Sequence, residues 1–68
     1  MQVRIKEYDN RKNYNEGVHS IEEVVKSSIN DALSYSKKII RKHKRAEHFI
    51  GFRIYDMTGK LKQKIHNQ

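Results

Sequence analysis

Arginine, lysine and tyrosine recur at every second position in two parts of this 68-residue chain: Arg4, Lys6 and Tyr8 in QVRIKEY, and Arg53 and Tyr55 in HFIGFRIYD. Lys62 and Lys64 repeat the spacing in LKQKIH. Residues two apart share one face of an extended strand. If Val3, Ile5, Ile50, Phe52, Ile54, Leu61 and Ile65 face inward, the outer face collects Arg4, Lys6, Tyr8, Phe49, Gly51, Arg53, Tyr55, Lys60, Lys62, Lys64 and His66, with no carboxylate among them. Cations neutralise phosphate oxygens and flat rings stack on unpaired bases, so this combination on an open sheet suits single-stranded nucleic acid. Arg4, Lys6, Tyr8, Arg53, Tyr55, Lys62 and Lys64 are therefore the candidate contacts. Two plainer readings fit the same pattern. One is a solvated face on which Tyr and Phe serve as strand formers; the other is a face whose aromatics meet a second subunit.

Other chemistries lack their residues. His19, His43, His48 and His66 include no pair at the i, i+4 helical spacing of a zinc site, and cysteine is absent. No metal, no cofactor and no disulfide are expected. His48 and His66 can approach each other only if their strands pair across the 57–59 turn. Catalysis needs a nucleophile beside a base, or paired carboxylates. Here Asp9 and Asp56 open loops, Glu22 and Glu23 fit a helix start, and serines 27, 28, 34 and 36 have no strained turn around them. Gly51 and Gly59 build no phosphate-cradling loop; Gly51 fits a bulge or a close helix approach. An enzyme is not expected.

The elements that must position these residues follow from periodicity. Residues 2–8 alternate and predict a strand. Residues 9–19, DNRKNYNEGVH, are rich in Asn, Asp and Gly and predict a loop. Ser20 with Glu23 in S-I-E-E fits a capping box, and Glu22 and Glu23 sit well at the positive end of a helix dipole. Ile21, Val24, Val25, Ile29, Ala32, Leu33, Ser36, Ile39, Ile40 and His43 then recur at helical spacing, which predicts one helix over about 20–45. Residues 48–66 predict a hairpin, with D-M-T-G-K as a type I turn that places Gly59 in the left-handed region. Its lysine-rich last strand belongs at a sheet edge. The fold expected is α+β in the order β-α-β-β, a single domain over 1–68: a three-stranded sheet with one long helix across one face. The apolar strand at 48–56 takes the centre, and the first strand lies parallel to it through a right-handed crossover.

A helix running from about Ile21 to about Lys44 is about 35 Å long, against roughly 26 Å for an eight-residue strand. Its overhang leaves Ile39 and Ile40 uncovered, while Ile29, Leu33 and Ile40 turn to one flank. So small a domain gains from a partner subunit, and a homodimer through Ile29, Leu33, Ile39 and Ile40 is expected. The run KKIIRKHKR over 37–45 then reads as a basic rim around that contact, partly explained by the negative end of the helix dipole.

The length, the helix around SIEEVVKSSINDALSYSKKIIRKHKR and the hairpin FRIYDMTGKLKQKI together resemble the small prophage-associated family catalogued as "hypothetical protein Yopt". That resemblance implies one helix and three strands per subunit and a homodimer; it carries no activity and no site residues. The charge of +7 and pI near 9.9 favour a polyanionic partner, nucleic acid or an acidic protein. No run of eighteen apolar residues is present, so no membrane partner is expected, and the start MQVRIKEYD lacks the layout of a signal peptide. A cytoplasmic, non-enzymatic binding module is the expectation, with an adaptor or inhibitor of a host or phage protein as the alternative.

Overall fold

In the computed structural model, which describes residues 1–43 and 48–67, the stretch expected to form the first turns of the helix is a strand. The chain runs β1 (Val3–Tyr8), α1 (Arg11–Glu16), β2 (Glu22–Lys26), α2 (Ile29–Lys42), β3 (Gly51–Asp56) and β4 (Leu61–His66). The class is α+β, with four strands and two helices in place of three and one. Val24 and Val25 are adjacent β-branched residues, which favour extended backbone. They pair antiparallel with β1, from Val3 opposite Lys26 to Glu7 opposite Glu22. The helix begins one signal later: Ser28 is its N-cap, and its hydroxyl accepts from the Asp31 N–H at 3.1 Å.

The sheet order is β2-β1-β3-β4 with every neighbouring pair antiparallel. The expected parallel pairing of the first strand with the 51–56 strand is thus corrected. β2 and β3 flank β1 and run parallel to each other, so α2 is the crossover between them and passes over β1. β1 and β3 share the centre.

Val3, Ile5, Ile50, Phe52 and Ile54 form the inner core with Ala32. Ala32 and Ser36 are fully buried, and these small residues let α2 lie close to the sheet. The Ser36 hydroxyl donates to the Ala32 carbonyl at 2.9 Å, so burial leaves it satisfied. Ile29, Leu33, Ile39 and Ile40, expected as a dimer contact, instead pack half-buried against this core. α2 has 14 residues, about 21 Å, close to the length of the six-residue strands β1 and β3, so among the described residues it is shorter than the helix expected over 20–45. Lys44 and Arg45, the end of the expected helix, lie outside the described residues.

The segment 9–19 is not a plain loop. Asn10 caps α1, its side chain accepting from the Asn13 N–H at 3.0 Å, and Gly17 closes it at φ 71°. α1 lies over one end of the outer sheet face, where Tyr8, Tyr14 and Phe49 make a second buried cluster. Gly51 permits that approach: a Cβ there would fall 2.6 Å from Tyr14 Cδ1 and 2.7 Å from Phe49 Cζ.

The hairpin turn forms as expected. Gly59 sits at φ 93°, and its N–H donates to the Asp56 carbonyl at 3.1 Å. The Asp56 carboxylate accepts from the N–H and hydroxyl of Thr58 and the N–H of Lys60, at 2.9, 2.6 and 3.0 Å. These bonds hold its carboxyl below the usual range. One strand further on, the register slips: Ile54 faces Gln63 but Tyr55 faces Leu61. Lys62 is the extra residue of a bulge. Leu61, expected in the core, is therefore 36% exposed opposite Tyr55.

Gly51→Ala tests the seating of α1. The added methyl meets two rings, and overpacking of this kind costs about 1–3 kcal/mol. The expected outcome is that loss in urea unfolding together with a weakened near-ultraviolet tyrosine signal; an unchanged midpoint contradicts it.

Candidate nucleic-acid interface

Strand pairing arranges the outer face in rows. One row runs Glu23, Lys6, Arg53, Lys64 and the next Val25, Arg4, Tyr55, Leu61. The third, Tyr8, Gly51 and His66, lies under Tyr14 and Phe49. Alternation along β1 and β3 places the cations on one side, and α1 covers about a third of it.

Arg4 is exposed and is the neighbour of Tyr55 across the β1–β3 pair. Lys6 lies 3.8 Å from the Glu23 carboxylate and 5.4 Å from the Tyr55 ring centre. Lys64 is exposed, with its ammonium 5.1 Å from the Tyr14 ring centre. Arg53 is the most constrained member. Its Nε donates to the Tyr55 hydroxyl at 2.7 Å, and its Nη1 donates to the carbonyls of Tyr14 and Asn15 at 2.8 and 3.3 Å. These carbonyls end α1, so a guanidinium here satisfies groups the helix cannot pair itself. It sits beneath Gly17, where a Cβ would stand 2.9 Å from Arg53 Cζ.

Five of the seven residues singled out from the sequence are thus brought together: Arg4, Lys6, Arg53, Tyr55 and Lys64. The other two are corrected. Tyr8 is 1% exposed, packed among Tyr14 and Phe49, and presents no ring to a base. Burial first, and the nearby Tyr55 second, push its hydroxyl up to about 12; that hydroxyl has no hydrogen-bond partner among the described residues. Lys62 is carried by the bulge toward Asp56, 3.9 Å away, in a cleft shared with Val3 and the start of α2. It is on the wrong side of the sheet. The face also holds residues that the sequence reading left out. Glu23 joins it because β2 is a strand, and Arg11 of α1 stacks 4.8 Å from the Phe49 ring centre. The alternation in EEVVK was the available signal for Glu23; nothing local reveals Arg11.

On the opposite side of the sheet, Glu7 stands directly across from Glu22. Like charges so placed repel. Partial burial and then Glu22 hold the Glu7 carboxyl above its ordinary range, with His43 pulling the other way and Asp9 adding to the rise. His43 is exposed at the end of α2 and not packed in a stripe, and its ring lies 6.3 Å from that of His48. Among the described residues no three His, Asp or Glu side chains gather as a metal site, and no helix is long and apolar enough to cross a membrane.

Compared with family models, curated proteins and solved structures, the chain matches none. A Yopt-type relationship draws no support from these comparisons.

Two outcomes follow for stability. Tyr8→Phe removes a buried, unpaired hydroxyl, a group that costs about 1–3 kcal/mol; the urea midpoint is expected to rise, and a fall shows that the hydroxyl is bonded after all. Because the folded state raises the Glu7 pKa, Glu7 favours folding below the ordinary value of 4.5 and loses that advantage as pH rises through its raised value. Glu7→Gln is therefore expected to stabilise at neutral pH by about 0.5 kcal/mol, the scale of a cross-strand charge pair. The gain should vanish in thermal melts run well below the ordinary glutamate range.

Proposed function

We propose that this chain is a non-enzymatic module that binds nucleic acid without sequence preference, laying the phosphate backbone on the face formed by Arg4, Lys6, Arg53 and Lys64. The observation that carries this reading is the row Lys6, Arg53, Lys64: three cations in register on three adjacent strands. Cross-strand like charges repel, and a phosphate backbone turns that repulsion into attraction. Within the row, Glu23 lies only at the far end, beside Lys6. The formal charge of +7 supplies long-range attraction as well.

With Tyr8 buried, Tyr55 is the aromatic left on the open part of the face, and its hydroxyl is held by Arg53. Phosphate contact therefore outweighs base stacking, and recognition by charge reads no sequence. Val25 and Leu61 end the Arg4–Tyr55 row as exposed apolar residues, 48% and 36% accessible. They favour a second reading, an acidic protein ligand anchored by two apolar contacts, which the same measurement separates.

Fluorescence anisotropy with a labelled oligothymidine is the direct test. Four neutralised phosphates predict a log–log salt slope of about −3 for a single strand. Lys6→Glu with Lys64→Glu is expected to weaken binding at least a hundredfold while leaving the melting profile near that of the native chain. No binding near about 50 mM salt, where such contacts are strongest, removes the nucleic-acid reading and leaves the acidic protein ligand.

A further inference from the structure

The two edges of the sheet are built differently. β4 carries Lys62 and Lys64, follows Lys60, and contains the register bulge; lysines and bulges are what keep an edge from pairing with another strand. β2 has an unbroken register against β1, two central valines and a half-exposed Val25. Beside it, between β2 and α2, runs a groove of about 510 Å³ whose walls include Lys26, Asp31, Tyr35 and Lys38.

The geometry points to the β2 edge as a homodimer interface, in which β2 pairs antiparallel with β2 of a second copy about a two-fold axis at Val24. The charges select this occupant. Reversing EEVVK about Val24 sets Glu22 of each copy opposite Lys26 of the other, on the α2 side of the sheet, and Val24 against its own equivalent. In a two-fold contact every such pair occurs twice. The groove repeats the pattern: Asp31 and Lys38 stand two helical turns apart on the flank of α2 that faces it, so antiparallel copies of α2 bring each aspartate to the other's lysine. Strand spacing places the two β1 strands, over which the helices lie, about 14 Å apart, within reach of a lysine and an aspartate from facing helices.

The same pairing answers an anomaly of the isolated chain. Glu22 faces Glu7 on one side, and across β1 Glu7 lies opposite Phe52, so the described strands set no cation opposite either carboxylate. The β2 edge is its open side, and there the second copy places a lysine. A two-fold axis normal to the sheet also keeps both outer faces on one side, so the interface is independent of the cationic row and does not use its residues.

Sedimentation equilibrium gives the test. The native chain is expected at twice 8.2 kDa. Glu22→Lys and Lys26→Glu, each alone, are expected to weaken the dimer at least tenfold, and the two together to restore it. Glu22→Lys also sets a cation opposite Glu7, so its monomer should melt no lower than the native chain below the dissociation point; loss of dimer then is not loss of fold. A native chain that stays at 8.2 kDa into the high micromolar range overturns the proposal. So does a dimer that both single changes leave intact, since its contact lies elsewhere. Oligothymidine binding by the monomeric variants bears only on the cationic face.

Discussion

β1 is hydrogen-bonded along both of its edges, and that arrangement leaves the chain one economical route. With β2 on one side and β3 on the other, the connection between β2 and β3 has to pass over β1, and α2 makes that passage on the face where Val3 and Ile5 are buried. The other face is then left to α1, the only other helix among the described residues. Tyr14 lands on the glycine that β3 places there, and Arg53 fastens the end of α1 to the sheet. The cationic row lies open because α1 is too short to cover it. Core, cover and candidate site thus trace back to a central strand with two partners.

What local sequence dictates was readable, and what tertiary contacts decide was not. The alternation in VRIKEY and FRIYD is enforced by each strand's own pleat, so Arg4, Lys6, Arg53 and Tyr55 fall together as their spacing implied. The turn at Asp56–Lys60 was readable because one carboxylate and one glycine define it. EEVVK was ambiguous in principle: Ser20 and Glu23 fit a capping box, yet Ser28 offers a second cap, and the pairing edge of β1 is a partner lying fifteen or more residues away. A six-residue helix is well below the length that is stable by local bonding. α1 persists through the Tyr14 ring and the Arg53 guanidinium, so its cost falls on residues far along the chain. Asn10 and Gly17 were its only local marks. Tyr8 and Lys62 went astray for the same reason, the first roofed by that helix and the second turned over by a bulge.

Charge is divided by side. The outer face gathers cations in register, while the α2 side brings two carboxylates opposite each other. Neither arrangement is what an isolated sheet needs for stability, because both place like charges at the closest cross-strand distance. Such pairs gain a physical reason when something of opposite charge approaches: a phosphate backbone on one side, a lysine from a second copy on the other. Arg53 belongs to both structure and candidate function, since its hydrogen bonds fix its position while its charge stays on the face. Rigid placement of that kind lowers the ordering cost when an anion binds.

The turn at Gly59 has a temporal consequence. It is closed by bonds to a single aspartate, within five residues, and a Cβ added at Gly59 would meet no atom within 4 Å. β3 and β4 can therefore find each other early, since closing a short loop costs little entropy. β1 pairs with β3 across more than forty residues and with β2 across a shorter span that includes α1. During synthesis β1 leaves the ribosome first but must wait for both neighbours, with β3 the later arrival. Among the pairings of the sheet, β1 with β3 therefore carries the largest loop-closure cost, and long-range pairing of that kind slows folding relative to a local hairpin.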